Sequence, residues 1–358
     1  YLFLRWAKLI VANGSLPVID TFRYAPLGFK TAQELPVVQY SIAWLYQFLH
    51  LFSNTVTVEY AAIILPVVFF AFTLVACYLM VRKTFQNNEM ADMIALVSTA
   101  ILAVIPGFVH RTVAGVPEKE SAAFLFMFLS IYFLASAWHE KSWKKASAFG
   151  FLAGILTGIM GLAWGGVQIM FIIMSLGTMA YFFNSSFKDK DGLAYGTWLF
   201  GFSLILAPNE HYGASIFLST TTGMAYFVFA LFAMHFTLYK TKLSERINLG
   251  KLGLHPKVIS LVTILLVGFI FVLIVYPVMI LDVFKDIKSQ MITPFEGNRL
   301  TVSIAENSRP YINSLYGSFG YFFWVFFFGS AFLLYDYCNK LKKQNKNILV
   351  IAYFLLIS

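Results

Sequence analysis

The sequence predicts an all-α membrane protein that crosses the bilayer about ten times. Of its 358 residues, 59% are hydrophobic and only 12% are charged, which is more apolar surface than a water-soluble domain buries. Apolar runs of about 20 residues, the length that crosses a bilayer as a helix, recur along the chain between short polar segments. The predicted spans are residues 59–81, 91–108, 121–137, 146–162, 166–183, 192–207, 222–239, 258–280, 319–335 and 347–358.

The basic residues predict which helix ends share a side of the membrane. Clusters of lysine and arginine occupy every second connection, as is typical of cytoplasmic loops, provided that residues 36–52 stay at the surface. Because the net charge of +9 is divided among these clusters, it does not form the single basic face that binds nucleic acid. The clusters begin at Arg82, Lys141, Lys188, Lys240 and Lys340.

The remaining segments are therefore predicted to lie outside the membrane together. They comprise residues 1–58, 109–120 and 281–318 and the turns "GLAWGG" and "APNEHYGAS". Most acidic residues fall in these segments, and apart from Glu59 and Asp92 at the first turns of two predicted spans, His235 is the only readily ionised residue within the spans. An ion-coupled transporter needs charged groups near the membrane midplane, so this distribution disfavours that class. The acids concerned are Asp20, Glu34, Glu118, Glu120, Glu210, Asp282, Asp286, Glu296 and Glu306.

The strongest candidate site is "HRTVAGVPEKE", residues 110–120. Glu118 and Glu120 follow Pro117 at a predicted helix start, and Arg111 lies just upstream. Carboxylate oxygens suit a hard divalent cation, and a guanidinium suits a phosphate. The alternative is that acids at a helix N-terminus only stabilise its dipole, by about 0.3–1 kcal/mol each.

Three further outer features are candidates. Glu306 follows an alternating, extended-looking stretch in "RLTVSIAENSRPY", residues 299–311, and is either a peptide-facing group or an ordinary solvated acid. Trp164 in "AWGG" is a candidate binding group or an interfacial anchor. His211 in "NEH" is a candidate binding group or part of a polar helix cap.

Taken in order, these motifs resemble the catalytic subunit of oligosaccharyltransferase, in its archaeal type. "HRTVAGVPEKE" resembles the family's second acidic motif, and "SIAE", residues 303–306, resembles the Thr/Ser-x-x-Glu motif of its fifth external loop. "AWGG" and "NEH" match shorter family stretches, and "DTFRYAPLGF", residues 20–29, resembles a Tyr-Pro-Leu-Gly stretch of the first external loop. The resemblance covers nearly the whole chain.

The resemblance implies a glycosyltransferase membrane fold of the GT-C type. Residues 1–58 are then the first external loop, with interfacial amphipathic helices, and its preceding span is missing. Residues 59–358 form the transmembrane domain, with catalytic external loops at 109–120 and 281–318. The family's first-loop aspartate would lie two residues before Tyr1, and its C-terminal soluble domain is also expected to be absent.

The resemblance also implies roles for individual residues. Glu118 and Glu306 are expected to ligate Mn²⁺ or Mg²⁺, with Glu120 beside them. Arg111 would brace this cluster or the lipid phosphate. We expect Trp164 and His211 near the lipid phosphates. Many family members have Asp where this chain has Glu118, so one ligand is a methylene longer.

The implied activity is transfer of an oligosaccharide from a dolichyl phosphate or diphosphate carrier to the Asn amide of Asn-x-Ser/Thr sequons, with inversion. The implied partners are the lipid-linked donor, the acceptor polypeptide and membrane lipid, with no nucleic acid, in a single-subunit enzyme. The active site would face outward from the plasma membrane. Two alternatives are another polyprenol-dependent glycosyltransferase of GT-C architecture and a permease or structural membrane protein.

Overall fold

The computed structural model describes residues 1–183, 186–217, 219–241, 245, 253–275 and 312–340. This part of the chain is almost entirely helical, apart from a short hairpin of β1 (Ile19–Asp20) and β2 (Phe29–Lys30), which pair antiparallel. Its helices are α1 (Leu2–Asn13), α2 (Val37–His50), α3 (Val58–Thr84), α4 (Ala91–Val104), α5 (Pro106–His110), α6 (Lys119–His139), α7 (Trp143–Ala163), α8 (Val167–Phe183), α9 (Asp189–Leu206), α10 (Thr220–Lys240), α11 (Pro256–Val275), α12 (Ile312–Phe319) and α13 (Phe322–Lys340). Single 3₁₀ turns occur at Thr31–Gln33 and Gly213–Phe217.

Helices α6, α7 and α9 form the centre of the bundle. The interface of α7 with α9 is the most extensive between described helices, because glycines let the two backbones approach closely. A Cβ added to Gly154 would lie 2.1 Å from the carbonyl oxygen of Trp198. Thr157 accepts a hydrogen bond from the Trp198 indole at 3.0 Å and shares another with Ser130 of α6 at 2.7 Å. The buried polar groups of this interface are thus satisfied by each other.

The other helices pack on the two sides of this centre. On one side, α3 packs against α6, and the beginning of α3 also receives α1 and α2 through a buried cluster that includes Ala7, Ile42 and Leu65. On the other side, α8 and α10 add aromatic side chains to the main core, where Phe171 and Phe202 have ring centroids 4.7 Å apart. The amino-terminal segment is therefore attached to the same bundle that contains α6.

The helical pattern agrees with the sequence, but ten membrane spans are not confirmed. Four described helices are long and apolar enough to cross a membrane, or five if the bent pair Asn313–Phe319 and Phe322–Leu333 is one span. Three apolar helices are shorter than that test requires. The predicted run 347–358 lies outside the described residues. The four long helices are Val58–Thr84, Lys119–His139, Trp143–Ala163 and Thr222–Lys240, and the three short ones are Ala91–Val104, Val167–Phe183 and Pro256–Ile270.

Two predicted boundaries were wrong. The expected span 91–108 is divided into α4 and α5, because Ile105 is extended (φ −65°, ψ 122°) before Pro106, which starts the new helix. Residues 312–318, expected as loop, belong to α12, which meets α13 at a bend of 91°. Gly320 lies at this bend with φ +56°, a conformation that glycine adopts without a Cβ penalty.

Segments predicted to share one side of the membrane do meet at one end of the bundle. Two contacts join such segments, Lys119 with Glu34 and His211 with Gln33. A third, from the Gly115 amide to the Ile63 carbonyl, joins the predicted outer loop to the first turns of α3. We call this end, which contains the N-terminus of α6 and the C-termini of α7 and α9, the site end. At the opposite end the basic residue Lys190 bonds to the Trp138 carbonyl, and Lys240 pairs with Asp189.

Candidate functional site

The acidic motif lies at the N-terminus of α6. Glu118 is the last residue before the helix and has an extended backbone (φ −98°, ψ 156°), as expected after Pro117. Its carboxylate makes no capping hydrogen bond to the first amides of α6. Glu120 follows in the first helical turn. A capping hydrogen bond therefore does not account for the direction of the Glu118 side chain, whereas the dipole alternative needs only the position of the acids at the helix start.

The two carboxylates converge on one guanidinium. Nη1 of Arg111 lies 2.9 Å from Oε2 of Glu118 and 3.7 Å from Oε1 of Glu120. The side chains of Arg111 and Glu118 are about one third exposed (38% and 31%), whereas that of Glu120 is 15% exposed. Ion pairs of this exposure contribute only about 0–1 kcal/mol, so a ligand of suitable charge can displace one partner. Of the sequence-predicted site residues, these three are brought into one cluster.

Backbone hydrogen bonds hold the loop between Arg111 and Glu118. Gly115 donates its amide hydrogen to the Ile63 carbonyl of α3 at 3.0 Å. A Cβ at this position would meet nothing within 4 Å, so glycine is favoured here by its backbone φ of +88° rather than by lack of space. The buried hydroxyl of Thr112 bonds to the Phe108 carbonyl of α5 at 3.0 Å. The loop is thus tied both to α3 and to α5, which fixes Arg111 beside the start of α6.

Glu34 joins the amino-terminal segment to α6, a contact that the sequence did not reveal. Its carboxylate accepts hydrogen bonds from Lys119 at 2.5 Å and from Arg23 at 2.7 Å. Burial alone would raise the pKa of Glu34, but the hydrogen bonds and charges of Lys119 and Arg23 bring that pKa below its ordinary value. Glu34 is therefore a charged, mostly buried acceptor rather than the solvated outer acid that its position in the sequence suggested.

Asp20 is a second buried carboxylate in the same segment. It is 3% exposed and accepts hydrogen bonds from Arg5 at 3.0 Å, from the Trp6 indole at 2.9 Å and from the Phe22 amide at 3.1 Å. Desolvation raises the pKa of Asp20, but these donors, with Arg5 first, lower it overall. These bonds attach the β1–β2 hairpin to α1. The sequence signal for them is the adjacent pair of donors, Arg5 and Trp6, in "FLRWA".

His211 lies beside the same segment. Its Nδ1 is 3.0 Å from the Gln33 carbonyl oxygen, and its backbone amide donates to Asn209 at 2.9 Å. The turn between α9 and α10 is thereby held one residue from Glu34. His211 lies at the site end with its ring directed to the backbone of the amino-terminal segment, and its proximity to the lipid phosphates stays a prediction.

Trp164 caps the C-terminus of α7 and packs between the two principal hydrophobic clusters. Its ring lies 6.3 Å from that of Phe124 in α6 and covers Gly166, where an added Cβ would be 2.3 Å from the indole. Gly166 of "AWGG" is thus explained locally by packing, since only glycine leaves room for this ring. Trp164 contacts α6 at Phe124, about one helical turn after Glu120.

Glu306 and the alternating stretch 303–306 lie outside the described residues. The nearest described part of that predicted loop is α12, which packs on α5. The Ser318 carbonyl oxygen lies 3.1 Å from the position that a Cβ on Gly107 would take. The loop that contains Glu306 therefore ends against the helix that precedes Arg111.

A complete metal centre is not contained in the described part of the chain. No group of three or more His, Cys, Asp or Glu residues suited to a metal occurs there. Two of the three predicted ligands, Glu118 and Glu120, are described, and both face the same cationic nitrogen.

Comparison with known proteins decides the family. The family model described as "Oligosaccharyl transferase STT3, N-terminal" matches residues 1–335, nearly the whole chain. The chain belongs to the STT3 family. The resemblance identified from the motifs is thereby confirmed, and with it the assignment to a multi-pass membrane glycosyltransferase family.

The solved structures of this family share the fold. The oligosaccharyltransferase AglB from Archaeoglobus fulgidus, solved in complex with an inhibitory peptide and a dolichol-phosphate, is 18% identical with a TM-score of 0.72. The alignment covers 100% of this chain and 43% of AglB. The same protein in its apo form is 20% identical, also with a TM-score of 0.72, over 99% of this chain and 43% of AglB.

Curated STT3 relatives are similar over about half of this chain. An STT3B subunit of Oryza sativa subsp. japonica, a dolichyl-diphosphooligosaccharide–protein glycosyltransferase, is 26% identical over 191 residues, which is 52% of this chain and 25% of the relative. A dolichyl-phosphooligosaccharide-protein glycotransferase of Methanococcus voltae is 26% identical over 46% of this chain and 19% of its own length. The matched region thus spans a quarter or less of these relatives.

The packing of Trp164 predicts that two adjacent glycines differ in tolerance. Gly166→Ala should lower stability by about 1–3 kcal/mol, because the new methyl group displaces the Trp164 ring. Gly165→Ala is the matched control, since a Cβ there meets nothing within 4 Å. Thermal unfolding in detergent, followed by tryptophan emission, measures both. Equal unfolding temperatures for the two variants would contradict the packing.

The lowered pKa of Glu34 predicts a pH-dependent contribution to stability. Because the folded-state pKa is below the ordinary value of 4.5, this contribution is present above pH 4.5 and is lost as pH falls through the folded-state pKa. The unfolding temperature of the wild type should exceed that of Glu34→Gln near pH 7, and the difference should shrink as the pH is lowered below 4.5 toward the folded-state pKa. A difference that stays constant over this range would contradict the assignment.

Proposed function

We propose that the protein transfers an oligosaccharide from a dolichyl phosphate or diphosphate carrier to the Asn side chain of an Asn-x-Ser/Thr sequon. The observation that carries the proposal is the convergence of Glu118 and Glu120 on Nη1 of Arg111. Membership of the STT3 family supports the reaction class. AglB has been solved with a dolichol-phosphate and an inhibitory peptide, and also tethered to an acceptor peptide with an NVT sequon.

The carboxylate pair fits a divalent cation by the chemistry of its donors. Two carboxylates within 2.9 Å and 3.7 Å of one cationic atom already hold a positive charge between them. Mn²⁺ and Mg²⁺ prefer oxygen ligands, and exchange for the partly exposed guanidinium costs little. We propose that Glu118, Glu120 and Glu306 hold the ion. AglB has been solved with Zn and sulfate, which supports metal binding in the family without fixing which metal this chain uses.

When bound, the ion would supply positive charge beside the departing lipid phosphate. Arg111, once displaced from the carboxylates, presents a guanidinium to the phosphate oxygens, a bidentate match for that group. His211 and Trp164 are proposed to border the region that binds the phosphate. The Trp164 side chain would do so in a fixed position, because it packs against both hydrophobic clusters.

Activation of the acceptor is assigned to the carboxylates. The amide nitrogen of Asn is a poor nucleophile, since its lone pair is conjugated with the carbonyl and rotation about that bond costs about 18–20 kcal/mol. Glu118 and Glu306 are proposed to accept hydrogen bonds from the amide N–H groups and so weaken the conjugation. Attack from the face opposite the phosphate would invert the anomeric carbon.

The chain connectivity permits Glu306 to reach this site. Glu306 precedes Ile312 by six peptide steps, which span at most about 22 Å when extended. Because α12 packs on α5, with Ser318 against Gly107, the described end of this loop lies beside the helix that precedes Arg111. Residues 109–120 and 281–318 are accordingly proposed as the two catalytic external loops.

The proposed setting follows from the positive-inside distribution of the sequence. The site end would face outward from the plasma membrane, with residues 1–58 as the first external loop and residues 59–358 as the transmembrane domain. A single subunit is proposed to suffice, given the archaeal-type resemblance. The dolichyl tail of the donor then stays in the outer leaflet beside the site.

Replacement of either described carboxylate tests the proposal. In the full-length protein, Glu118→Gln or Glu120→Gln should lower Mn²⁺-dependent glycopeptide formation by at least about 100-fold, since even groups that only support metal ligands contribute 10–100-fold. Glycopeptide yield from a sequon peptide and lipid-linked donor is the measurement.

Glu140→Gln is the matched control, because Glu140 is an acid at the opposite end of the same helix and bonds only locally to Lys141 and Ser142 among its described partners. It should retain wild-type activity. Full activity of both α6 N-terminal variants would remove these acids from the mechanism. Transfer to a lipid or sugar but never to a sequon peptide would assign the protein to another polyprenol-dependent glycosyltransferase class.

A further inference from the structure

Lys119 stands between the two candidate metal ligands in the sequence, yet its ammonium group is directed elsewhere. Nζ of Lys119 lies 2.5 Å from Oε1 of Glu34, a residue 85 positions away. Resting on the function proposed above, we propose that Glu34 is a positioning residue for the metal site. By holding and neutralising Lys119, it leaves the carboxylates of Glu118 and Glu120 available to a divalent cation.

The physical reason is competition between positive charges. A lysine ammonium is a compact charge on a flexible four-carbon stem, so an unpaired Lys119 would sample positions near its acidic neighbours. There it would repel a divalent cation, with a force that is poorly screened at a partly buried site. Glu34 offers Lys119 a fixed partner instead. The side chain of Lys119 is 28% exposed and that of Glu34 is 11% exposed, so this pair is better shielded from water than a surface ion pair.

Glu34 is itself rigidly placed. Arg23 donates to its second carboxylate oxygen at 2.7 Å, and the guanidinium of Arg23 lies 3.9 Å from the centroid of the Phe29 ring. The preceding 3₁₀ turn is anchored at Thr31, whose hydroxyl bonds to the Pro17 carbonyl at 2.6 Å. Glu34 thus belongs to a segment whose position is fixed by contacts other than its ion pair with Lys119.

The same corner also contacts the turn that contains His211. The Gln33 carbonyl lies 3.0 Å from Nδ1 of His211, so residues 33 and 34 touch two separate segments of the site end. A simpler role for Glu34 would be to fasten the amino-terminal segment to the bundle. The two roles predict different effects of removing Lys119. If the pair only fastens the segment, loss of either Glu34 or Lys119 should weaken Mn²⁺ binding equally. If Glu34 keeps Lys119 away from the metal site, loss of Glu34 should weaken Mn²⁺ binding only while Lys119 is present.

Mn²⁺ binding by three variants distinguishes these roles. We expect Glu34→Gln to raise the Kd for Mn²⁺ by about tenfold, the lower end of the effect of groups that support metal ligands. Lys119→Gln should bind Mn²⁺ at least as tightly as the wild type. In the double variant Glu34→Gln/Lys119→Gln, the Kd should return to within about twofold of the Lys119→Gln value, as expected when one residue acts through the other.

The measurement is titration of the full-length protein in detergent with Mn²⁺ alone, with free Mn²⁺ followed by electron paramagnetic resonance. Glu59→Gln is the matched control, because Glu59 forms a lysine ion pair with Lys8 in the same amino-terminal region. Its Kd should equal that of the wild type. Thermal unfolding of each variant verifies that it is folded.

The outcomes separate this inference from the proposed function. If the wild type binds Mn²⁺ and forms glycopeptide but Glu34→Gln binds equally tightly, the positioning role is overturned and the function stands. If the double variant stays as weak as Glu34→Gln, Glu34 only fastens the segment. If the wild type binds no Mn²⁺, the metal site and the positioning role both fail.

Discussion

The site end is organised by charge compensation at the N-terminus of α6. Glu118 and Glu120 place two negative charges within three residues, and the cations that meet this region come from different segments. Arg111, at the end of α5, pairs with both acids, while Lys119 is held by Glu34 of the amino-terminal segment. These contacts join α5, the loop tied to Ile63 and the Gln33–Glu34 corner at the start of α6. The proposed exchange of Arg111 for a metal cation is favoured by the partial exposure of the Arg111–Glu118 pair, since such pairs are weak.

The helix bundle supplies the rigid base that such a site needs. The close approach of α7 and α9 at Gly154, together with the buried hydrogen bonds of Thr157, fixes two of the helices around α6. Trp164 extends this packing to the site end, where its ring lies over Gly166 and beside Phe124. The reason for Gly166 is thus steric, and any contact of Trp164 with a lipid donor would be made by a side chain that packing already holds in place.

Local patterns in the sequence predicted the helices and the start of α6, but they did not predict long-range pairs. Pro117 and the acids after it marked the helix start, and residues 36–52, which the alternation of basic clusters kept out of the predicted spans, contain the helix α2. The pairing of Glu34 with Lys119 joins residues 85 positions apart, and no periodicity reports such a contact. Proline residues also did not show by themselves where a helix ends. Pro66 lies inside α3, whereas Pro106 divides α4 from α5, and the packing around each proline decides whether the helix continues. The acid that completes the predicted metal site, Glu306, remains a prediction.

The central claim is that Glu118 and Glu306 meet at the site end, and chemical cross-linking tests it most directly. Glu118→Cys/Glu306→Cys would be made in a Cys77→Ser/Cys338→Ser background, with a protease site between Lys240 and Pro256, so that a covalent link keeps the two halves together on a denaturing gel. Gly107→Cys/Ser318→Cys is the positive control, because a Cβ on Gly107 would lie 3.6 Å from that of Ser318, within the range of a disulfide. The account predicts that a short bifunctional thiol reagent links 118 to 306 as efficiently as the control pair. Linkage of the control pair alone would contradict it.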